Sequence, residues 1–334
     1  MGGKRKVLIA PLNWGLGHAT RCIPIIEEYL AKDWEVILAS DGASLSLLRR
    51  TFPDLKSHEL PGYDIKYAKD ARLINAVILQ LPKIWLRIRD EFLWLKAFSK
   101  TVDLDLVISD NRYGIHSKKT HSVIISHQLK IKSPVFEDML NRINHKMLNR
   151  FDECWVPDVE GSGNLSGALS DIPLEIPKKY IGHLSNLKKV KSNSEGIPLL
   201  CILSGPEPQR SILERELKPI LLDFPGAFLI RGLVNEESSA DEEGLHVMGF
   251  ADRKQIQDLM NRSRLVICRA GYTSLMDLVL MDKKAILIPT PGQTEQEYLA
   301  ELHGSSLQFR AIDQEDISTG LRSLITSSSR WDLS

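Results

Sequence analysis

The chain has no excess of either charge: 43 Lys and Arg residues are balanced by 43 Asp and Glu among 334 residues. A nucleic-acid binder carries a basic surplus that displaces counterions, so the balance disfavours that class. Cysteine is scarce, with Cys22, Cys154, Cys201 and Cys268 far apart and no Cys-x-x-Cys pair. Such spacing offers neither a zinc site nor a disulfide framework and points to a reducing cytoplasm. No apolar run approaches the ~18 residues that a spanning helix needs. The apolar segment that follows Lys6 ends at Pro11, too short for the core of a secretory signal. Short-period repeats and low-complexity tracts are missing as well. These absences lead to the expectation of a cytoplasmic chain without a transmembrane anchor.

What is present is a globular composition, 43% hydrophobic and 26% charged, in a length that suggests two domains at ~150 residues each. Short apolar runs alternate with segments of helical period, the pattern of βαβ units and a mainly parallel sheet. Val7–Ala10, Glu35–Ala39, Leu104–Ser109, Ser122–Ser126 and Glu153–Val156 read as strands of a first half. Pro198–Leu203, Ala227–Arg231, Leu245–Met248, Arg264–Cys268 and Ala285–Pro289 read as strands of a second. The polar, aperiodic stretch Lys188–Gly196 is the best linker candidate. It divides the chain into residues 1–185 and 196–334, joined by a spacer over about 186–195. The fold class expected is α/β, two Rossmann-like doubly wound domains facing a cleft, with ligands at the carboxyl ends of the strands.

In the first half, strand Val7–Ala10 runs into Asn13-Trp-Gly15-Leu-Gly17-His18-Ala-Thr-Arg21 and then an amphipathic segment. Glycines at 15 and 17 allow a tight turn with positive φ, and the helix start behind them favours an anion. Pro24 would be tolerated if the helix began only a few residues earlier, leaving His18 in the loop mouth. There it could act as a general base at neutral pH; the plainer reading is that His18 merely caps the helix. Asp110 stands at the carboxyl end of its strand, where it could fix the tautomer of an imidazole or simply open an Asx turn. His127-Gln128 ends the next strand, facing either a ligand or solvent.

The second half is richer. A strand ending at Cys268 is followed by Arg269-Ala-Gly271-Tyr272-Thr273-Ser274-Leu-Met-Asp277. The turn would aim the N–H groups around 271–274 at one point, a place for a diphosphate, with Arg269 as a fixed cation. Asp277, on the first turns of the helix that follows, suits the vicinal hydroxyls of a ribose. After the next strand, Glu295 and Gln296 open another helix with groups able to bind sugar hydroxyls. The plainer reading is a strand–turn–helix unit whose acids favour helix N-termini.

These residues carry a resemblance. Arg-Ala-Gly-Tyr-Thr-Ser-Leu-Met-Asp277, then Ile288-Pro-Thr-Pro-Gly-Gln-Thr-Glu-Gln296, resembles the nucleotide-sugar signature of GT-B glycosyltransferases. The nearest form is that of the peptidoglycan lipid-linked N-acetylglucosaminyltransferase family and its uncharacterised bacterial relatives. The resemblance runs from residue 7 to about 310 and implies the following roles. Gly271 and Tyr272 match the diphosphate turn, Asp277 the ribose acid and Gln296 the donor-sugar amide. Phe250 and Ala251 match a loop whose backbone reads uracil. Ser204-Gly205-Pro206-Glu207-Pro208-Gln209-Arg210 matches a phosphate loop, Arg210 standing for a donor-contacting arginine. Gly17-His18 matches an acceptor loop whose histidine is a proposed base, and Asp110 the acid that orients it. The chain departs from the family at Gly15-Leu-Gly17, which is shorter in glycine, and at Pro206 and Pro208.

The function implied is an inverting transfer of a hexosyl or N-acetylhexosaminyl group from a UDP-sugar to a hydroxyl on a glycan, lipid-linked or small acceptor. The Asp-x-Asp of the sequence, Asp103-Leu-Asp105, precedes a strand. Helix dipoles and the cations Arg269 or Arg210 are therefore expected to do the work of a metal, and no cofactor besides the donor is expected. Residues 72–99 interleave Ile84, Trp85, Leu86, Phe92, Leu93, Trp94 and Phe98 with Lys83, Arg87, Arg89, Lys96 and Lys100. Such a segment suits a membrane interface over 84–98, at the inner face of the membrane, or a helix packed on the sheet with a solvated basic face. Gly17-His18-Ala-Thr-Arg21-Cys22 also resembles the UDP-sugar hydrolase of pseudaminic acid biosynthesis, in which the histidine would activate water. A non-catalytic nucleotide-sugar-binding subunit is a third reading. A 2-epimerase ranks below these for want of its carboxylate pattern.

Overall fold

The computed structural model describes residues 3–63, 80–190, 195–205, 207–233 and 236–333. They fall into two units, one running as far as Leu184 and the other from Ser185 onward.

The first unit contains β1 (Lys6–Pro11), α1 (Gly17–Ala31), β2 (Glu35–Ser40), α2 (Gly42–Thr51), β3 (Lys56–Glu59), α3 (Leu81–Phe98), β4 (Leu106–Asp110), β5 (His121–Ile125), α4 (Glu137–Leu148), β6 (Glu153–Val156) and β7 (Lys178–Tyr180). Its strands pair in parallel in the order β3-β2-β1-β4-β5-β6-β7. A parallel sheet is buried on both faces, and β1 shows why its sequence is a continuous apolar run. Val7 and Ile9 pack with Ile23, Ile26 and Leu48 on one side. Leu8 and Ala10 pack with Leu95 and Leu104 on the other. The direction of winding reverses between β1 and β4, where Pro11 lies beside Asp110. Loops leaving a sheet at such a switch point diverge and open a crevice.

That edge is held by a buried polar network. Arg112, just past β4, is completely buried. Its Nε donates to Pro11 O at 2.9 Å and its Nη1 to Glu91 Oε1 at 2.7 Å, while Nη2 bonds Asp41. Tyr63 Oη donates to Glu91 Oε2 at 2.8 Å. Asn13 Nδ2 donates to Asp41 Oδ2 at 3.1 Å and Ser44 N to Asn13 Oδ1 at 3.2 Å. Thus the ends of β1 and β2, the helix α3 and the loop carrying Asn13 are all referred to one guanidinium.

The second unit contains β8 (Ile197–Ile202), α5 (Gln209–Leu221), β9 (Phe228–Ile230), β10 (Ser239–Glu242), β11 (Leu245–Met248), α6 (Arg253–Arg262), β12 (Ser263–Arg269), α7 (Tyr272–Leu280), β13 (Ala285–Ile288), α8 (Thr294–His303), β14 (Phe309–Ala311) and α9 (Ile317–Ser327). The order is β10-β11-β9-β8-β12-β13-β14, parallel except for β10 on β11. Leu199, Cys201, Ile267 and Ile286 of the sheet pack with Leu213, Leu217 and Leu321 of the helices. The switch point lies between β8 and β12, so the loops after Ile202 and Arg269 emerge there.

The α/β, doubly wound expectation holds for both units, and every expected strand is present with shifts of one or two residues at its ends. The strands not expected, β3, β7, β10 and β14, are the four sheet edges. An edge strand is paired on one side and half solvated, so Lys56-Ser-His-Glu59 and Ser239-Ala-Asp-Glu242 need no apolar run. The spacer expected over 186–195 is corrected in its first half. Lys188 N donates to Gln257 Oε1 at 2.8 Å, Val190 N to Asn261 Oδ1 at 2.9 Å, and Arg253 Nε to Asn186 O at 2.6 Å. Residues 186–190 are therefore fastened to α6 rather than free. Residues 191–194 of that spacer, like Pro206 and the part of the aromatic segment before residue 80, lie outside the described residues.

Replacing Arg112 by Met leaves Asp41 and Glu91 buried without their cation, which costs about 3–5 kcal/mol. Urea denaturation should show the midpoint falling accordingly; an unchanged midpoint would mean that the network does not hold the edge of the sheet.

Candidate functional site

At the switch point of the first unit, α1 begins at Gly17, and Gly15 (φ 82°) is the glycine of the pair that uses positive φ. Two expectations are corrected. His18 lies in the first turn of α1 rather than in a loop, and Pro24 sits inside the helix, where its ring nitrogen leaves the carbonyl of Thr20 without its usual donor. Nor is His18 a cap: Leu16 holds that position, with no side-chain hydrogen bond. The imidazole instead faces Asp110. His18 Nδ1 is 2.9 Å from Asp110 Oδ1. Asp110 is fully buried, and Arg112 N, the donor that an Asx turn would use, bonds Ser109 Oγ instead at 3.1 Å. The oxygens of Asp110 are taken by Arg21 Nε at 2.6 Å on Oδ2 and Arg21 Nη2 on Oδ1, with Cys22 Sγ at 3.5 Å from Oδ2. Arg21 follows His18 by three residues and so shares its face of α1. Its Nη2 is 2.9 Å from His18 Nδ1 and its Nη1 is 3.3 Å from His127 Nδ1. His127 is thus part of this cluster and buried, not on a solvated surface.

Arg21 Nη2 carries two hydrogens and gives one to the carboxylate, the stronger acceptor. In the tautomer whose Nδ1–H donates to Asp110 Oδ1, the lone pair of His18 lies on Nε2. Burial lowers the pKa of His18, Asp110 opposes this and Arg21 adds to it, so the net shift is downward and favours the neutral ring. Burial alone would raise Asp110, but Arg21 and then His18 hold it well below the usual carboxylate range. A neutral, oriented imidazole with its outer nitrogen unprotonated is a general base in waiting.

At the switch point of the second unit, Gly205 (φ 104°) follows β8 and has open space where a Cβ would stand. Gly271 caps α7 with an extended backbone, and a Cβ there would meet only Ser274 Oγ at 3.9 Å. The first intrahelical bond of α7 is Leu275 N to Gly271 O, so the N–H groups of Thr273 and Ser274 point out of the helix start beside Tyr272. Asp277, one turn further, is half-buried and accepts a bond from Ser185 Oγ at 2.5 Å. Burial pushes its carboxyl up to about 7, with the Ser185 bond opposing. Ser185 carried no signal in the sequence.

Two arginines are not where the sequence suggested. Arg269 is buried, with Nη1 on Pro289 O at 3.0 Å and Nη2 on Gln209 O at 3.1 Å. It is a strut joining the ends of β12 and β13 to the start of α5, not a cation offered to a diphosphate. Arg210 is clamped between Glu207 and Glu214, with Nε to Glu207 Oε1 and Nη1 to Glu214 Oε2, each at 2.7 Å. Its charge is already compensated. Gln296 also works within the protein: its Oε1 accepts from Thr290 N at 2.9 Å and its Nε2 donates to Gln293 Oε1 at 2.6 Å. These bonds shape the loop before α8, beside which Glu295 is half-buried. Phe250 and buried Ala251 lie between β11 and α6, which Asp252 opens with a capping box closed by Gln255. Among the described residues, no three His, Cys, Asp or Glu side chains are grouped to hold a metal ion.

Helix α3 buries Ile88, Glu91 and Leu95. Trp85, Leu86 and Leu93 stay 41%, 55% and 46% exposed, on a face shared with exposed Arg89 and Lys96, and exposed Lys100 follows in the turn after the helix. No helix among the described residues is long and apolar enough to cross a membrane.

Two doubly wound units in one chain, each with its candidate groups at a switch point, are the architecture of the GT-B class. Comparison with known proteins agrees. Residues 232–330 match the glycosyltransferase family 28 C-terminal domain. An uncharacterized glycosyltransferase of Methanosarcina mazei is 30% identical over 323 residues, covering 87% of this chain and 81% of that protein. The UDP-N-acetylglucosamine–N-acetylmuramyl-(pentapeptide) pyrophosphoryl-undecaprenol N-acetylglucosamine transferase of Clostridium tetani is 20% identical over 297 residues, covering 86% and 78%. Among solved structures, the Streptomyces sp. SF2575 glycosyltransferase SsfS6, complexed with thymidine diphosphate, superposes with a TM-score of 0.62 at 14% identity, covering 98% of this chain and 93% of that one. The chain belongs to the GT-B glycosyltransferases, and its C-terminal part is of the family 28 type.

The raised value of Asp277 has a stability consequence. Its folded pKa of about 7 stands above the ordinary 3.8, so the folded state holds the proton longer. The stability it contributes is complete below pH 3.8 and is lost as pH rises through about 7. Asp277→Asn keeps an acceptor for Ser185 but never ionises. Without ligand, its melting temperature should exceed that of the parent by a margin that widens from pH 5 to pH 8; a margin independent of pH would refute the assignment.

Proposed function

We propose that the protein transfers a hexosyl or N-acetylhexosaminyl group from a UDP-sugar to a hydroxyl acceptor, with inversion and without a metal ion. The observation that carries this reading is the placement of His18, its Nδ1 2.9 Å from the buried carboxylate of Asp110; with the Nδ1–H given to that carboxylate, Nε2 can accept a proton. The acceptor hydroxyl gives its proton to His18 Nε2 as its oxygen bonds the anomeric carbon. The bond from that carbon to the diphosphate oxygen breaks on the opposite face, which inverts the centre, and UDP departs with the electron pair. Asp110 stabilises the imidazolium that forms.

The donor is assigned to the second unit. The N–H groups of Thr273 and Ser274 and the dipole of α7 meet the charge growing on the diphosphate. Gly205, Gly271 and Tyr272 line its approach, and Asp277 takes the ribose hydroxyls. The Phe250–Ala251 backbone reads the base, and Glu295 and Gln296 face the sugar. Arg269 and Arg210 act here by shaping loops rather than by touching phosphate. The choice of uridine rests on the family resemblance and on the UDP-sugar in the name of the Clostridium relative. The acceptor is a glycan, lipid-linked or small hydroxyl compound. The exposed apolar and basic face of α3 supports peripheral contact with an anionic inner membrane surface, in keeping with work on a cell-envelope glycan.

A thermal-shift panel of UDP, GDP, dTDP and their sugars tests the donor, since a ligand of the folded state raises its stability by mass action. UDP compounds should give the largest shift; a larger one with dTDP would overturn the uridine assignment. Asp277→Ala should lose the shift and His18→Ala should keep it while transfer falls by about 10²–10⁴-fold. EDTA should leave the rate unaltered, and the product's anomeric configuration, read by NMR, should be opposite to the donor's. UDP release at full rate without acceptor would make the enzyme a hydrolase instead. Flotation with anionic vesicles checks the face of α3; no binding removes the membrane contact.

A further inference from the structure

The fourth partner in the first unit's cluster has no part in the mechanism above, yet it makes the closest contacts. Resting on the transfer reading, we propose that Arg21 is a positioning residue: it holds Asp110 in a charge-compensated pair, so that His18 works as a base that takes its proton weakly and releases it readily. Arg21 meets the carboxylate with a two-point fork, Nε on Oδ2 at 2.6 Å and Nη2 on Oδ1. Both side chains are almost wholly buried, so little solvent screens them. A bare carboxylate 2.9 Å from Nδ1 would hold an imidazolium firmly. The pair that His18 actually faces is neutral overall, and its cation is equally near, with Nη2 2.9 Å from the same Nδ1.

Among the described residues, three elements bring titratable groups to the imidazole. Asp110 comes from β4, Arg21 from the helix of His18 itself, and His127 from the loop after β5, with the Cys22 thiol on the far oxygen of Asp110. Burial keeps that thiol protonated, its pKa pushed well above the usual value, so it adds no charge. Asp110 alone therefore favours the protonated ring, while Arg21, and His127 when charged, oppose it. Arg21 also places its Nη1 on His127, so a single guanidinium fixes the positions of both histidines and the acid. The catalytic contact belongs to His18; Arg21 acts through Asp110.

The test is the pH dependence of transfer and of the ring itself. In the parent protein the acid limb of kcat/KM should lie below pH 6.5. In Arg21→Gln the carboxylate is uncompensated, and the limb should move up by about one to three pH units. Arg21→Lys, a cation without the fork, should fall between. A uniform loss of rate at every pH, with the limb unmoved, would make Arg21 merely structural and overturn the proposal. Because an unpaired buried carboxylate can unfold the glutamine variant, the His18 ring is also titrated by NMR in the parent and in Arg21→Lys. An upward shift of its pKa in Arg21→Lys supports the proposal, and identical titration curves refute it. That titration needs no substrate: if His18→Ala proves fully active, the transfer reading fails while the coupling of Arg21 to His18 is still measured.

Discussion

A buried carboxylate must be paired, and the pairing of Asp110 governs the arrangement of the first unit's candidate site. Asp110 ends the central strand β4, beside β1, at the point where the sheet changes its winding direction. With no water to solvate it, it draws Arg21 and His18 from the first turns of α1. The register of β1 on β4 sets where Asp110 stands, and the length of the loop from Pro11 to Gly17 sets where α1 begins. The Arg112 network keeps that loop and its neighbours in place by joining the ends of β1 and β2 to α3. Two arginines on opposite sides of the same strand end thus do separate work, one for the base and one for its frame.

The second unit uses the same topology with a different polarity. Its switch point presents the start of α7, and the polar groups nearby are organised from behind. Arg269 fastens Gln209 and Pro289, so the loops after β8, β12 and β13 are spaced by one buried guanidinium. Asp277 is poised differently from Asp110. Among the described residues its partner is the hydroxyl of Ser185 rather than a cation, and burial makes it reluctant to ionise.

How much of this could be read beforehand depended on where each residue lies. Central strands were legible because both of their faces are covered and their sequences are unbroken apolar runs. The edges β3, β7, β10 and β14 were not, since half-solvated pairing leaves no pattern. His18 and Asp110 were picked out by their places at the ends of strands, and the structure brings them together across 92 residues of chain. Arg21 stood in the segment Gly17-His18-Ala-Thr-Arg21, and only its spacing from His18 hinted at a shared face. Ser185 left no trace, because a lone serine in an irregular stretch resembles any other. Arg269 and Arg210 misled for a definite reason: an arginine near a glycine turn is as well suited to a ring of carbonyls or carboxylates as to a phosphate, and sequence does not show which is nearer.

The sequence by itself determined the alternation of buried strands and amphipathic helices, hence two doubly wound sheets, and the glycine-flanked helix starts that follow β1 and β12. Those are consequences of local periodicity and backbone freedom, which neighbouring residues carry among themselves. Only the tertiary structure decided which charges meet: Asp110 with Arg21 and His18, Arg112 with Asp41 and Glu91, Arg269 with two backbone carbonyls, Asp277 with Ser185. Electrostatic pairing in a buried site is set by distances of about 3 Å between residues remote in sequence, and those distances come into being when the strands take their order in the sheet.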